Sequence, residues 1–321
     1  MNNFQVVITD CDHENIDIEN NIFEQSQITY SLQNCKTEQD VIENGKGAAV
    51  FLNQYAPITD KVMEQLPELK LVIRYGVGVN NIDMEAATKH GVQVCNVPDY
   101  GMHEVADHAL ALMLALTRKI TVMNEQVKNG GWNYQLSIPV FRHSEQTVGI
   151  IGLGRIGTAF AHKVHALGCK VVAYDLNRSE SRKKNTPDFV EMIDFESLLA
   201  ISDVISIHCP LETAKNLIDA AAMEKMKSTA YLINVSRGGI INEADLHQFL
   251  KDKRIAGAAL DVFQEEPVGN DSPLLEHANF LCTPHMAWYS EQSAQELKRK
   301  VAEEAVRFIA NEQVKYPVNQ L

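Results

Sequence analysis

The stretch VGIIGLGRIG, residues 148–157, decides how this chain folds. An apolar run leads into three glycines with the spacing GxGxxG, and a helical pattern, Thr158–Leu167, follows them. Gly152 permits a tight turn, Gly154 lets a ligand approach the backbone, and Gly157 lets the helix pack closely on the strand. The stretch predicts a strand, a turn and a helix N-terminus, where N–H groups and the helix dipole favour phosphates.

The next predicted strand, Lys170–Asp175, ends in an acidic residue 18 positions after Gly157. A carboxylate there accepts hydrogen bonds from the adenosine ribose hydroxyls of NAD and repels the 2′-phosphate of NADP. Arg178, three residues further on, would allow some use of NADP. We therefore expect a dinucleotide site with NAD as the cofactor.

Similar apolar runs rich in β-branched residues occur on both sides of this stretch and alternate with helical patterns. Runs of this length indicate parallel strands covered on both faces. The alternation predicts an α/β fold with two doubly wound parallel-sheet units. The predicted strands are Gln5–Asp10, Ala48–Leu52, Leu69–Arg74, Val92–Val97, Val148–Gly152, Lys170–Asp175, Val204–His208, Ala230–Val235, Ala256–Val262 and Phe280–Thr283.

Three further segments connect or close these units. The helix predicted between Asp99 and Lys119 is apolar nearly all round from Ala106 to Leu116, which is typical of a helix buried between domains or against a second subunit. Residues 129–146 are rich in glycine and polar residues and predict a loop. Ser290–Asn311 predicts a closing helix, and composition alone leaves its packing partner open.

Composition excludes several classes of protein. A chain of 321 residues favours two domains. Its 42 acidic and 29 basic residues give a formal net charge of −13, which disfavours binding to nucleic acid. The N-terminal MNNFQVVITD lacks a secretory pattern, and the longest apolar run, Ala109–Leu116, is shorter than the ~20 residues of a membrane span. We therefore expect a cytoplasmic protein that binds neither nucleic acid nor membranes.

The six cysteines form no CxxC pair. Four of them, Cys95, Cys169, Cys209 and Cys282, lie in apolar or strand-like surroundings, which predicts buried free thiols. A zinc site or a disulfide framework would need closer and more regular spacing, so we expect no metal.

A second set of candidate residues is Arg237 in NVSRGG, Glu266 in DVFQEEP and His285 in TPHMAW, each of which follows a predicted strand. Ligands of such sheets bind at the carboxyl ends of the strands. An arginine can hold a carboxylate and polarise a neighbouring carbonyl, and a histidine can exchange a proton near neutral pH. A carboxylate paired with the histidine fixes its tautomer and stabilises its cation. The set therefore suits hydride transfer to a carbonyl group.

Five phrases resemble the D-isomer-specific 2-hydroxyacid dehydrogenase family: GIIGLGRIG, HCPLETAKNLI, LINVSRGGIINEADL, GAALDVFQEEP and TPHMAWYSEQ. The match runs from about residue 74 to residue 308 in family order. The resemblance implies a Rossmann NAD-binding domain at 99–285 and a flavodoxin-like substrate-binding domain at 1–98 and 286–321. It also implies a homodimer, a catalytic triad of Arg237, Glu266 and His285, and NAD contacts from Arg155, Ile156, Asp175, Pro210 and Asp261.

Two further stretches resemble substrate-binding parts of the family. RYGVGVN, residues 74–80, is similar to a loop whose consecutive N–H groups bind the substrate carboxylate, as an anion nest does. Arg74 stands where phosphoglycerate dehydrogenases and C-terminal-binding corepressors also carry arginine. HMAWYSEQ, residues 285–292, is close to the corepressor type, whose tryptophan faces the substrate pocket. The predicted substrate-binding residues are Arg74, Tyr75, Gly76, Val77, Gly78 and Trp288.

Two departures from the family pattern leave the subgroup and the substrate open. The interdomain helix reads Val-Ala-Asp-His at 105–108 where the family often has Val-Ala-Glu-His, and Asn80-Asn81 replaces the usual acid. The expected function is NAD-dependent interconversion of a small 2-keto acid and its D-2-hydroxy acid. The alternatives are a corepressor-like NAD(H)-sensing scaffold and a phosphoglycerate dehydrogenase-type enzyme. A complete triad favours turnover.

Overall fold

The structure is a computed structural model that describes residues 5–176 and 186–321, so Arg178 lies outside the described residues. The chain forms two compact units. The first runs to Gly101 and resumes with Ser290–Leu321, and the second is Met102–Tyr289. The boundaries expected from the sequence, after residues 98 and 285, lie a few residues from these.

The first unit contains a five-stranded parallel sheet in the order β2-β1-β3-β4-β5, which is the flavodoxin-like order. The central strand β3 is buried along its whole length, as expected for a strand covered on both faces. The elements in chain order are β1 (Gln5–Ile8), α1 (Asp17–Gln25), β2 (Tyr30–Leu32), α2 (Glu38–Asn44), β3 (Ala48–Asn53), α3 (Asp60–Gln65), β4 (Leu71–Arg74), α4 (Met84–Lys89) and β5 (Gln93–Cys95).

The second unit contains a seven-stranded parallel sheet in the order β12-β11-β10-β9-β6-β7-β8. The strand order reverses between β6 and β9, and ligands of such sheets bind at this switch point. The elements are α5 (Met102–Thr117), α6 (Ile120–Lys128), β6 (Thr147–Ile151), α7 (Arg155–Ala166), β7 (Lys170–Tyr174), β8 (Val190–Met192), α8 (Phe195–Ile201), β9 (Val204–Ile207), α9 (Ala220–Met223), β10 (Tyr231–Asn234), α10 (Glu243–Lys251), β11 (Gly257–Leu260) and β12 (Phe280–Cys282).

The closing helix α11 (Glu291–Ile309) belongs to the first unit. It begins with a capping box in which Ser290 and Ser293 bind each other's backbone N–H groups. Its buried residues include Leu297, Val301 and Ala305, and it packs on α1, β3 and β4. The structure thereby answers the question that composition left open.

All ten predicted strands are present, most of them one or two residues shorter at an end. Two strands, β2 and β8, were not predicted. Each has three residues and lies at an edge of its sheet, and β2 is not buried, so neither produces a long apolar run. The helix after the glycine stretch begins at Arg155, earlier than the predicted Thr158.

The apolar helix α5 is largely accounted for within the second unit. It buries Ala106, Ala109, Leu112, Met113 and Leu116 and packs on α7, β10 and β11. The predicted loop 129–146 contains only two short 3₁₀ turns, and the helix before it, α6, has no buried residue.

Among the described residues, no helix combines the length and the apolar character needed to cross a membrane. All six cysteines are free, but Cys282 is exposed, so its predicted burial is wrong. It is the last residue of β12, the strand at the sheet edge, where one flank has no neighbouring strand.

Candidate active site

The turn after β6 has the geometry that its glycines predict. Gly152 has a φ of +95°, and a Cβ there would lie 2.7 Å from the carbonyl oxygen of His208. A Cβ on Gly157 would overlap the carbonyl oxygen of Gly152, so α7 rests directly on the turn. A Cβ on Gly154, in contrast, would meet no atom within 4 Å. The chain itself requires the first and third glycines, and the second faces open space that fits a pyrophosphate.

The other predicted cofactor residues lie around this turn. Asp175 is buried directly after β7 and accepts a hydrogen bond from the Leu153 N–H at 2.8 Å, which ties the carboxylate to the glycine turn. Arg155 is exposed and Ile156 half-buried in the first turn of α7. Pro210 is exposed after β9, across the switch point from the glycines. This edge of the sheet fits the phosphates and the adenosine ribose of NAD.

The three predicted catalytic residues follow three neighbouring strands. Arg237 comes after β10, Glu266 after β11 and His285 after β12. His285 Nδ1 lies 2.7 Å from Glu266 Oε2, and Glu266 Oε1 accepts the Phe263 N–H at 2.9 Å. Because both carboxylate oxygens have partners, Glu266 fixes the orientation of the His285 ring.

Arg237 lies in the turn after β10, where its Nη1 donates to the Ser236 carbonyl at 2.7 Å. A Cβ on Gly238 would overlap the carbonyl oxygen of Phe263, so this turn lies against the turn that carries Glu266. Partial burial raises the pKa of Glu266. The net effect is nevertheless a pKa below its ordinary value, because the hydrogen bond to His285, the charge of His285, the Phe263 N–H and the charge of Arg237 all lower it. Glu266 is therefore ionised at neutral pH.

Asp261, predicted to contact NAD, is almost fully buried. Its Oδ1 accepts hydrogen bonds from the Thr283 hydroxyl at 2.6 Å and the Met286 N–H at 2.9 Å, and its Oδ2 accepts the Ala287 N–H at 3.0 Å. His108 on α5 contacts the Thr283 hydroxyl at 2.9 Å. Sequence reasoning missed His108 and Thr283, although both lie in quoted motifs, VADH and TPH.

The predicted substrate loop lies in the first unit, at the end of β4. Arg74 is half-buried, and its guanidinium lies against Gly76, where a Cβ would overlap Nη1. Tyr75 is buried. Its N–H donates to the Asn53 carbonyl at 2.8 Å and its hydroxyl to Glu19 at 3.0 Å. Tyr75 therefore supports the loop from within the unit.

The rest of the loop is held through its carbonyl groups. The Gly76 carbonyl accepts the Val97 N–H at 2.9 Å, and the exposed Val77 accepts the Asn96 side-chain amide at 2.6 Å. This arrangement fits a loop whose N–H groups face a ligand. Trp288, in the second unit, is half-buried, and its ring lies edge to face with that of Tyr289 at 5.5 Å. Among the described residues, no group of three His, Cys, Asp or Glu could hold a metal ion.

Two doubly wound sheets, a dinucleotide turn and an Arg–Glu–His set define a dinucleotide-binding α/β protein. The model of the NAD-binding domain of D-isomer specific 2-hydroxyacid dehydrogenases matches residues 110–287, and this chain belongs to that family. The predictions of family, fold class and NAD as the cofactor are thereby confirmed.

Named relatives agree with this assignment. D-3-phosphoglycerate dehydrogenase of Archaeoglobus fulgidus is 37% identical over 88% of this chain and 53% of its own length. Glycerate dehydrogenase of Methylorubrum extorquens is 34% identical over 85% and 87%. D-lactate dehydrogenase of Aquifex aeolicus, solved with NAD and lactic acid, has a TM-score of 0.85 at 25% identity and 96% coverage of both chains. The chain spans about half the length of the phosphoglycerate dehydrogenases it matches.

The two glycines predict separable effects. We expect Gly157→Ala to lower the free energy of unfolding by about 1–3 kcal/mol, because its Cβ overlaps the Gly152 carbonyl. Gly154→Ala, with open space around its Cβ, should keep the wild-type unfolding curve but raise the Kd of NADH about tenfold or more. Urea unfolding and NADH fluorescence titration of both variants test this. Normal NADH binding by Gly154→Ala would contradict the proposed phosphate position.

The Glu266–His285 contact predicts a pH effect of defined sign. In its predicted role as the acid–base residue, His285 must be protonated for reduction, and ionised Glu266 favours that cation. Glu266→Gln should therefore move the alkaline limb of reduction to lower pH, and the limb of oxidation should move in the same direction. Profiles of kcat/KM across the pH range, under conditions where hydride transfer limits, measure both limbs. Glu265→Gln, one residue away, is the control and should shift neither.

Proposed function

We propose that this chain catalyses the NAD-dependent interconversion of a small 2-keto acid and its D-2-hydroxy acid. The observation that carries the proposal is the 2.7 Å contact of His285 with Glu266, next to the turn of Arg237, in the sheet that bears the dinucleotide turn. Arg237 binds the carboxylate and polarises the carbonyl group. NADH held at the glycine turn would supply the hydride for the carbonyl carbon. His285 donates a proton to the carbonyl oxygen, and Glu266 stabilises the protonated ring before transfer.

The first unit supplies the substrate loop in this proposal. We assign the substrate-binding role of the first unit to Arg74 and to the N–H groups of Gly76, Val77 and Gly78, and we assign a substrate-binding role in the second unit to Trp288. We assign residues 1–98 and 286–321 to substrate binding and residues 99–285 to NAD. The buried Asp175 carboxylate at the end of β7 supports a preference for NAD over NADP. We place the protein in the cytoplasm.

The test of this function is NADH oxidation with glyoxylate, hydroxypyruvate, pyruvate and phosphohydroxypyruvate, repeated with NADPH. Fast turnover of any 2-keto acid supports the enzyme. A phosphoglycerate dehydrogenase-type enzyme, the second candidate, rests on Arg74 and on the named relatives, and it predicts preference for the phosphorylated acid. Tight NADH binding without turnover of any keto acid would instead favour an NAD(H)-sensing scaffold.

Arg237 should be required for the transition state rather than for cofactor binding. A lysine keeps the charge but loses the planar, two-pronged donor, so Arg237→Lys should lower kcat/KM for the best keto acid by about a hundredfold. The Kd of NADH should stay within about twofold of wild type. The exposed Arg142, changed to lysine, is the matched control. Nearly full activity of Arg237→Lys would remove Arg237 from the site.

We further propose that the chain forms a homodimer through the segment 120–141. Residues 129–141 carry no charged side chain, although the chain has a net charge of −13, so a second copy meets no like charge from this stretch. Trp132 is 90% exposed, and such a concentration of apolar surface is typical of an interface. The exposed apolar residues of the segment 120–141 are Ile120, Val122, Val127, Trp132, Tyr134, Leu136, Ile138 and Phe141.

The oligomeric state provides the test. We expect wild type to sediment at twice the chain mass of 35.9 kDa. Trp132→Arg places a charge in the proposed interface and should shift sedimentation toward the single chain. Leu32→Arg introduces the same charge at an exposed apolar residue outside the segment and should leave the mass unchanged. A Trp132→Arg variant as heavy as wild type would contradict the proposed interface.

A further inference from the structure

The backbone of His285 has a conformation that its surroundings must enforce. Its φ is +53°, in the left-handed region that residues with a Cβ rarely adopt. The His285 N–H donates to the carbonyl oxygen of Asp261 at 2.8 Å. The next two N–H groups, of Met286 and Ala287, donate to the carboxylate of the same Asp261 at 2.9 and 3.0 Å. Asp261 therefore holds the His285 turn through its main chain and its side chain together.

The Asp261 carboxylate is held in turn by Thr283. The Thr283 hydroxyl donates to Asp261 Oδ1 at 2.6 Å. A hydroxyl has one proton, so the Thr283 oxygen must accept at its other contact, His108 Nε2 at 2.9 Å. His108 therefore donates through Nε2–H. The direct distance from His108 Nε2 to Asp261 Oδ1 is 3.6 Å, too long for a hydrogen bond, so Thr283 is the link.

We propose that His108, Thr283 and Asp261 form a positioning chain that places His285 for proton transfer. The positioning chain runs from α5 to the turn after β12. The proposal rests on the proposed role of His285 as the acid–base residue. It ends on backbone N–H groups and not on the imidazole ring, so it acts on the position of His285. This role is separate from the NAD contact that the resemblance implies for Asp261.

His285 thus has two supports that act on different atoms. Glu266 contacts ring atom Nδ1 and acts on its charge and tautomer, whereas the positioning chain fixes the backbone that carries the ring. Small displacements of a reacting group lower the rate steeply, by about a hundredfold for roughly 1 Å. Loss of the positioning chain should lower kcat and leave the pH limbs in place, whereas loss of Glu266 should move the limbs.

The central pair of variants is Thr283→Val and Thr283→Ser. Valine has nearly the shape of threonine but cannot link His108 to Asp261, so we expect kcat for keto-acid reduction to fall about tenfold. The Kd of NADH and the position of both pH limbs should not change. Serine restores the hydroxyl and should recover most of the rate. Wild-type kcat in Thr283→Val, no recovery in Thr283→Ser, or a shifted limb in Thr283→Val would each overturn the proposal.

His108 provides a second matched pair. The amide nitrogen of glutamine can take the place of histidine Nε2 and donate to Thr283, whereas leucine cannot donate. We expect His108→Leu to lower kcat about threefold, and His108→Gln to stay near wild type. Equal rates in the two variants would contradict a role for His108 in the positioning chain.

A readout without turnover separates this proposal from the proposed function. In the full chain with bound NAD⁺, the backbone amide resonances of Met286 and Ala287 report on the Asp261 carboxylate. Asp261→Asn removes the charged acceptor, so both amide protons should move upfield, and Thr283→Val should move them by less. If wild type reduces no 2-keto acid but the resonances of the two variants move as expected, the proposed function fails. The positioning chain is then still supported. Unchanged amide resonances of Met286 and Ala287 in Asp261→Asn would overturn the positioning chain itself.

Discussion

The close contact between Gly157 and the carbonyl group of Gly152 places the N-terminus of α7 against the end of β6, and the cofactor side of the second unit depends on it. A helix that begins here directs its first N–H groups into the space over Gly154. His208 packs beneath this turn, its ring 5.1 Å from that of Phe160, and burial lowers its pKa to about 3. Because His208 is neutral, the attraction for phosphates comes from backbone N–H groups rather than from this side chain.

The same parallel sheet determines where the three predicted catalytic side chains lie. Strands β10, β11 and β12 run side by side in the direction of β6, so the turns that follow them end at the edge that bears the glycine turn. Gly238, packed on the Phe263 carbonyl, shows how tightly two of these turns meet. The nearness of Arg237, Glu266 and His285 is therefore a consequence of strand order, and short-range sequence supplies only the residue types.

Features with a local cause could be predicted from the sequence. Ten strands followed from apolar runs, and the glycine turn followed from spacing, because each depends on neighbouring residues. The contact of His108 with Thr283 joins residues 175 positions apart and uses ordinary polar residue types, so no local pattern reveals it. Trp132 illustrates another limit. The composition of residues 129–146 predicts a loop. It does not predict that Trp132 is exposed, because exposure depends on which elements pack against the side chain.

Asp261 and the His285 turn stabilise each other. A carboxylate that is almost fully buried destabilises a fold unless donors surround it, and this one receives the Thr283 hydroxyl and two backbone N–H groups. Those N–H groups converge because His285 adopts a left-handed conformation, which costs about 1–3 kcal/mol. Hydrogen bonds to a charged acceptor contribute about 1.5–3 kcal/mol each, enough to offset that strain. The buried carboxylate and the strained backbone therefore persist together, and the strain falls on His285, the residue proposed to exchange a proton.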